Sequence, residues 1–316
     1  MKKLMQGSDK ATRLRVTPAS EHGIYQHGNR RKIFMIIAVA SGKGGTGKTT
    51  IATNLALSIP QSQYIDCDVE EPNGNLFLKA EIQQKEDVGV PLPQIDDALC
   101  TYCGICAKDC EFNALAVLKD RVMVFPELCH GCGVCSYVCP EKAISEVEKI
   151  IGVVERGIVP QEGEDLAFCQ GLLNVGEPMS PPLIKKAKAC AEPTRTVIMD
   201  APPGTSCPVI QTLNGADFCL LVTEPTPFGL NDLELAVGVV RQMKIPFGVI
   251  INRSDSGDQS VVEYCQRENI PLLMEIPYNR DLAFAYSKGI SYVTENPEAK
   301  DQFGQLLVAI HKELQV

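Results

Sequence analysis

The chain has no excess of positive charge. Its formal net charge of -9 and pI near 5.1 give no electrostatic reason to expect nucleic acid or an anionic membrane as the main partner, beyond what a local basic patch would attract. It also has no apolar run long enough to span a bilayer. The nearest approach, "RRKIFMIIAVAS" at 30–41, imitates a signal peptide with its basic flank, short apolar core and small residue. Ile33 to Ala40 is only a strand's length, however, and it leads straight into a glycine-rich loop, as a buried first strand should. No cleavable signal is evident. The fourteen cysteines therefore read as thiolates in a reducing, cytoplasmic setting, available as metal ligands, and not as a disulfide framework.

With 316 residues and 45% hydrophobic content, the chain can fill one large α/β domain and a small additional module. Residues 1–32 are polar, rich in Lys and Arg and without period, and are expected to form a flexible extension; the organised pattern begins near Met35, a candidate natural start. Apolar, β-rich runs at 33–40, 62–66, 196–200, 218–223, 247–251 and 272–276 alternate with helical periodicity such as that of 230–243. That alternation predicts a doubly wound, mostly parallel sheet with ligand loops at strand C-termini. After the first strand, "GKGGTGKT" at 42–49 satisfies G-x-x-x-x-G-K-[ST] and is followed by the helical stretch "TTIATNLALSI". Gly42, Gly44, Gly45, Thr46 and Gly47 would let backbone N–H groups curl around phosphate oxygens at a helix N-terminus. Lys48 would reach the β- and γ-phosphates, with Thr49 on magnesium and Thr50 beside it at the head of the helix.

Lys43 gives the loop the form "KGGTGKT", which resembles the deviant P-loop of the MinD/Mrp/ParA group of ATPases, to which the nitrogenase iron protein is also related. Three more motifs in matching order extend the resemblance over residues 33–94 and about 150–316. "YIDCDVEEPN" at 64–73 looks like the switch I strand, "TVIMDAPPGT" at 196–205 like the Walker B strand and switch II, and "GVIINRSD" at 248–255 like the strand whose Asn recognises adenine. The resemblance implies ATP and Mg2+ as ligands and a homodimer as the working unit. Asp68 would handle the attacking water, Asp200 would sit near magnesium, Gly204 near the γ-phosphate and Asn252 at the base. Lys43 would reach across the dimer to the partner's phosphates. A membrane anchor of the MinD kind calls for a basic amphipathic tail, but this chain ends "HKELQV" after the stripe Phe303, Leu306, Leu307, Ile310 and Leu314, which reads as core. No stable membrane insertion is expected.

Two cysteine runs interrupt this pattern. Cys100, Cys103, Cys106 and Cys110 recur as Cys129, Cys132, Cys135 and Cys139 with the same x2, x2, x3 spacing and a 29-residue period. The duplicated run resembles the bacterial ferredoxin with two 4Fe-4S clusters, in which the fourth cysteine of each run serves the other cluster. The resemblance implies one cluster on Cys100, Cys103, Cys106 and Cys139, and a second on Cys129, Cys132, Cys135 and Cys110. Zinc sites usually show paired C-x2-C knuckles in place of triple runs. Glu111 stands where the first run lacks the usual proline. A small α+β ferredoxin-like module over 95–148 is thus expected to be inserted into the ATPase, behind a linker "EDVGVPLPQID" at 86–96.

The expected protein is a cytoplasmic ATPase whose nucleotide state controls electron delivery to an unidentified redox partner. The alternatives are an Mrp-like cluster carrier serving a cluster-acceptor protein and a positioning switch of the MinD/ParA kind. "CQGLLNVGEPMSPPLIKKAKA" at 169–189 reads as a Gly/Pro-punctuated loop entering a helix, and His130 as a solvated loop residue. Cys67, Cys190, Cys219 and Cys265 read as buried thiols. Cys207, seven residues after Asp200, and Cys169, read as a loop residue, are positioned by resemblance to the nitrogenase iron protein for a third 4Fe-4S cluster across the dimer axis.

Overall fold

The computed structural model describes residues 15–16 and 34–315. Met35 is described and buried, its carbonyl accepting from Val197 N, whereas the expectation for residues 1–32 otherwise lies outside the described residues. The exception is β1 (Arg15–Val16), which pairs antiparallel with β12 (Leu272–Ile276), so part of the segment read as flexible caps a sheet edge.

The remaining elements run β2 (Ile36–Ala40), α1 (Lys48–Ser58), β3 (Ser62–Asp66), α2 (Gly74–Leu78), β4 (Glu81–Ile95), α3 (Ile105–Lys108), β5 (Leu115–Val117), β6 (Val122–Val124), α4 (Val134–Val138), β7 (Ile144–Val159) and β8 (Leu166–Leu173). Then follow α5 (Pro181–Lys188), β9 (Thr196–Asp200), α6 (Cys207–Leu213), β10 (Phe218–Thr223), α7 (Pro227–Met243), β11 (Phe247–Asn252), α8 (Ser260–Arg267), α9 (Arg280–Ser287), α10 (Tyr292–Glu295) and α11 (Pro297–Glu313), with β12 between α8 and α9. The sheet order is β1-β12-β11-β10-β2-β9-β3-β8-β7-β4. From β12 to β8 the pairings are all parallel. Such strands are covered on both faces, which is why IIAVA and FCLLVT are nearly continuous apolar runs. Leu183, Val209, Leu233 and Val261 carry α5 to α8 on one face, while Ile51, Leu55, Val293 and Phe303 carry α1, α10 and α11 on the other. From β2 the chain passes to β3 and on to the edge at β4, returns through β7 and β8 to β9 beside β2, and then crosses to β10, β11 and β12 on the other side. The loop after β2 therefore opens where the direction of winding reverses, the place at which such sheets bind ligands.

The inserted segment departs from the expected linker. Residues 86–96 belong mainly to β4, which pairs antiparallel with β7 from Glu81↔Ile158 to Ile95↔Ile144. This ribbon spans about 50 Å at the usual rise per residue. Pro91 and Pro93 lack N–H groups, but β4 is the outermost strand, and an edge tolerates their absence. β7 joins the ribbon to the main sheet through β8, and Glu86 on β4 pairs with Arg156 on β7 at 3.4 Å and with Lys186 on α5.

Beyond the ribbon, the 29-residue repeat becomes a local two-fold. Leu115↔Val124 between β5 and β6 corresponds to Ile144↔Ile95 between β7 and β4. α3 and α4 each follow a left-handed glycine, Gly104 at φ 82° and Gly133 at φ 73°. Among the described residues, no helix is long and apolar enough to cross a membrane. The expected stripe on α11 is core: Phe303, Leu306 and Ile310 are fully buried. Phe303→Ala should therefore cost about 3–5 kcal/mol, whereas Val308→Ala, at a site 58% exposed, should stay within about 0.5 kcal/mol. Urea midpoints compared between the two variants check this, and equal shifts would show that α11 is not docked as described.

Candidate nucleotide site and cysteine cradles

The loop from Gly42 to Gly47 leads directly into α1. Gly47 occupies the N-cap at φ 91° without a side-chain cap, and the first turn contains no acidic residue. The open N–H groups and the helix dipole thus face the cleft without internal competition. A Cβ on Gly47 would run into the Asn252 amide, and one on Gly42 would strike the Asp232 carbonyl. Thr46 Oγ1 is buried with no hydrogen-bond partner. An open cleft is lined by Gly44, Gly45, Gly47, Lys48, Thr49 and Thr50 on one side and by Asp68, Glu71 and Asn73 on another.

Beneath the loop lies a buried charge cluster. Asp66 and Asp200 are register partners at the ends of β3 and β9, and both are fully buried. Lys48 Nζ lies 3.1 Å from Asp200 Oδ1. Burial pulls the Lys48 pKa down, but Asp200, Asp68 and Asp66 outweigh it and hold the ammonium above its ordinary value. Burial, reinforced by Asp200, pushes Asp66 up to about 8; burial also pushes Asp68 up to about 6, against the pull of Lys48. The Tyr64 hydroxyl lies 3.0 Å from Asp200 Oδ2 and 3.4 Å from Asp66 Oδ2.

The other expected residues are nearby. The Gly204 N–H donates to Ser41 O at 3.0 Å with φ 95°, bracing the segment after β9 against the loop, while its neighbour Pro203 reaches the cleft. Asn252 lines the cleft and donates from Nδ2 to Thr46 O at 2.9 Å. Lys43 does not line the cleft of its own chain; its carbonyl accepts from Ser41 Oγ. Sequence reasoning missed the wall formed by Tyr278, Leu282, Ala283 and Tyr286. Asn279 caps α9 by accepting from Asp281 N and Leu282 N, a local signal that marks the helix start but not the cleft it faces.

At the tip of the ribbon, the eight cysteines line two separate cavities. One is bounded by Cys100, Cys103, Cys106 and Cys139. The other is bounded by Cys110, Cys129, Cys132 and Cys135. Each therefore takes three cysteines from one run and the fourth from the other. Backbone N–H groups point at sulfur in repeat-related pairs: Tyr102 N to Cys100 and Gly131 N to Cys129, at 3.4 and 3.5 Å, and Ala114 N to Cys110 and Ala143 N to Cys139, both at 3.3 Å. Such donors stabilise anionic sulfur, so two four-thiolate cradles fit the donor set of an iron-sulfur cluster. Among the described residues, no three His, Cys, Asp or Glu groups are gathered closely enough for a single metal ion. His130 is stacked on Phe112 at 3.6 Å between ring centroids, a contact across the repeats that its reading as a solvated loop residue did not anticipate.

The cysteines outside the module divide differently from expectation. Cys67, Cys190, Cys219 and Cys265 are buried, as their settings indicated. Cys169 is not a loop residue: it lies within β8 opposite Ile65 and Arg156, fully buried, with its thiol directed to Ala187 O at 3.7 Å. A hydrogen bond to Cys190 and burial push its pKa up. Cys207 is exposed at the head of α6. A bridging cluster on this pair is incompatible with Cys169 sealed beneath α5. The segment 169–173, read as loop, is strand, and the turn proper is confined to 174–180.

Parallel sheet, glycine loop and open helix N-terminus together define a P-loop nucleotide-binding fold. The CobQ/CobB/MinD/ParA nucleotide binding domain family matches residues 37–292, and the chain belongs to that family. An uncharacterized protein of Methanocaldococcus jannaschii is 30% identical over 275 residues, covering 83% of this chain and 93% of the relative. An iron-sulfur cluster carrier protein of Pyrococcus horikoshii is 24% identical over 285 residues, covering 84% and 81%. The septum site-determining protein MinD of Pyrococcus horikoshii, solved with Mg-ADP, shares the fold with a TM-score of 0.55 at 18% identity, over 89% of this chain and 97% of that one. Gly47→Ala should weaken nucleotide binding more than tenfold, because both its backbone angle and the space before Asn252 exclude a methyl group. Titration with a fluorescent nucleotide measures this, and wild-type affinity would show that the loop relaxes freely.

Proposed function

We propose that this protein is an ATP-hydrolysing homodimer that carries two 4Fe-4S clusters in its ribbon-borne module and uses nucleotide state to control electron delivery to a partner protein. The observation that carries the reading is continuity. The loop bearing Asp68 passes through α2 into β4, and β4 ends at the first cysteine run. In this reading the P-loop amides, Lys48 and Thr49 hold the phosphates with magnesium, Asp200 faces the metal, and Asn252 meets the base. Asp68, half-buried at the cleft, orients the attacking water, and Lys43, which does not line its own cleft, serves the partner's phosphates. Bound in the cradles, the clusters supply one-electron carriers. The protein's part is to hold them firmly, since each cradle draws on both repeats and opening one disturbs both.

A second reading, a cluster carrier, is favoured by the name of the Pyrococcus horikoshii relative. The two readings separate experimentally. ATP-dependent reduction of an acceptor with clusters retained supports electron delivery, whereas loss of clusters to an apo-acceptor supports the carrier.

Anaerobically isolated protein should contain about eight iron and eight acid-labile sulfides per chain, and Cys103→Ser should damage one cluster more than the other. Stoichiometric zinc without iron would end this reading. Lys43→Ala should retain nucleotide binding but lose ATP-dependent dimer closure and most turnover, and Asp68→Ala should slow hydrolysis while the closed dimer persists. Equal loss of binding in Lys43→Ala and Lys48→Ala, measured by calorimetry, would reduce Lys43 to a local phosphate contact.

A further inference from the structure

Phosphate chemistry gives no role to Tyr64. Its ring is fully buried and stacked on Phe168, with centroids 6.0 Å apart and planes 11° apart. Its hydroxyl stands between the two buried carboxylates, 3.0 Å from Asp200 Oδ2 and 3.4 Å from Asp66 Oδ2. Beyond it, the Asp66 carboxyl clasps both ends of the next loop. Oδ1 accepts from Asp68 N at 3.1 Å and Oδ2 from Gly74 N at 3.0 Å. Gly74 opens α2 against the Tyr64 hydroxyl so closely that a Cβ there would overlap it. α2 then ends at Lys79, and β4 begins at Glu81.

We propose that the Tyr64 hydroxyl is a positioning group that passes the state of Asp200 to the 67–74 loop, and through α2 to β4 and the cysteine module. The proposal rests on the reading that a nucleotide occupies the cleft and that the module answers to it. The Tyr64 hydroxyl has one proton and can donate it to only one of the two acids at a time. At present Asp200 is the nearer acceptor, and Asp200 is itself held by Lys48 at 3.1 Å. A phosphate that draws Lys48 away changes the charge Asp200 presents to Tyr64. The hydroxyl then has one other acceptor in reach, the same Asp66 oxygen that holds the Gly74 amide. Turning toward it disturbs the clasp where α2 begins. The device has two arrangements and needs no movement of the sheet.

Tyr64→Phe keeps the ring stack and removes the oxygen. Amide hydrogen exchange over residues 67–90, with and without magnesium and a non-hydrolysable ATP analogue, gives a readout separate from turnover. In the wild type, nucleotide should change exchange at Gly74 and the start of β4 by about tenfold. In Tyr64→Phe the analogue should bind within about threefold of wild-type affinity while that response falls below about twofold, and kcat should drop with KM little changed. If Tyr64→Phe does not fold, Asp66→Asn, which cannot offer two acceptor oxygens to the two amides, should show the same uncoupling. A full wild-type response in either folded variant overturns the relay while leaving the ATPase reading intact. A wild type that binds the analogue without any change over 67–90 overturns the coupling reading and the relay with it.

Discussion

Asp66 and Asp200 sit side by side at the C-terminal ends of adjacent parallel strands, buried, with one lysine between them and the solvent cleft. Two carboxylates so placed cannot both remain charged at ordinary cost. The chain satisfies them with a specific set of partners: Lys48 and Tyr64 on Asp200, and the amides of Asp68 and Gly74 on Asp66. Lys48 belongs to the P-loop and the two amides to the loop after β3, while Tyr64 stands within β3 between the two acids. The P-loop lysine is held ready by an acid, and the loop after β3 is shaped by another. The sheet brings the two acids together, and their need for partners fixes the geometry around them.

The same economy of backbone governs the module. Neither cysteine run lines a cavity with four sulfurs by itself. The two-fold relation of the runs lets each lend its fourth cysteine to the other, with repeat-related amides pointing at sulfur. The small core of Cys106, Leu115 and Ile144 is modest. Little apolar surface is available there for stability, and the β4/β7 ribbon, hydrogen-bonded along its length, ties the module to the main sheet.

That ribbon changes how the insertion is understood. A flexible linker would decouple the module from the nucleotide site. An edge strand hydrogen-bonded along its length to β7, and salt-bridged through Glu86 to α5, is instead fixed to the main sheet. The loop clasped by Asp66 lies directly before it in the chain, so the route from cleft to cysteine module runs through neighbouring elements.

Much of this was legible before any coordinates. The apolar runs at 196–200, 218–223 and 272–276 are strands with the expected bounds, because a short run buried on both faces must be nearly continuous in apolar residues and so stands out against the polar and proline-bearing turns that flank it. The P-loop and the 29-residue cysteine repeat were equally plain, since their chemistry requires particular residues at fixed spacing. The prolines of β4 misled because proline reads as a breaker until the strand is known to be an edge. Cys169 misled because spacing from Asp200 says nothing about which face of a sheet a thiol meets. Tyr64, Asp66 and the α9 wall could not be found from spacing at all. By itself the sequence determined the local elements, the loop that receives phosphate and the thiols available to each cradle. Only the tertiary structure decided which strands became neighbours, and so which carboxylates were forced to share one lysine and one hydroxyl, because pairing between distant segments is set by the burial of the whole sheet and not by any residue within it.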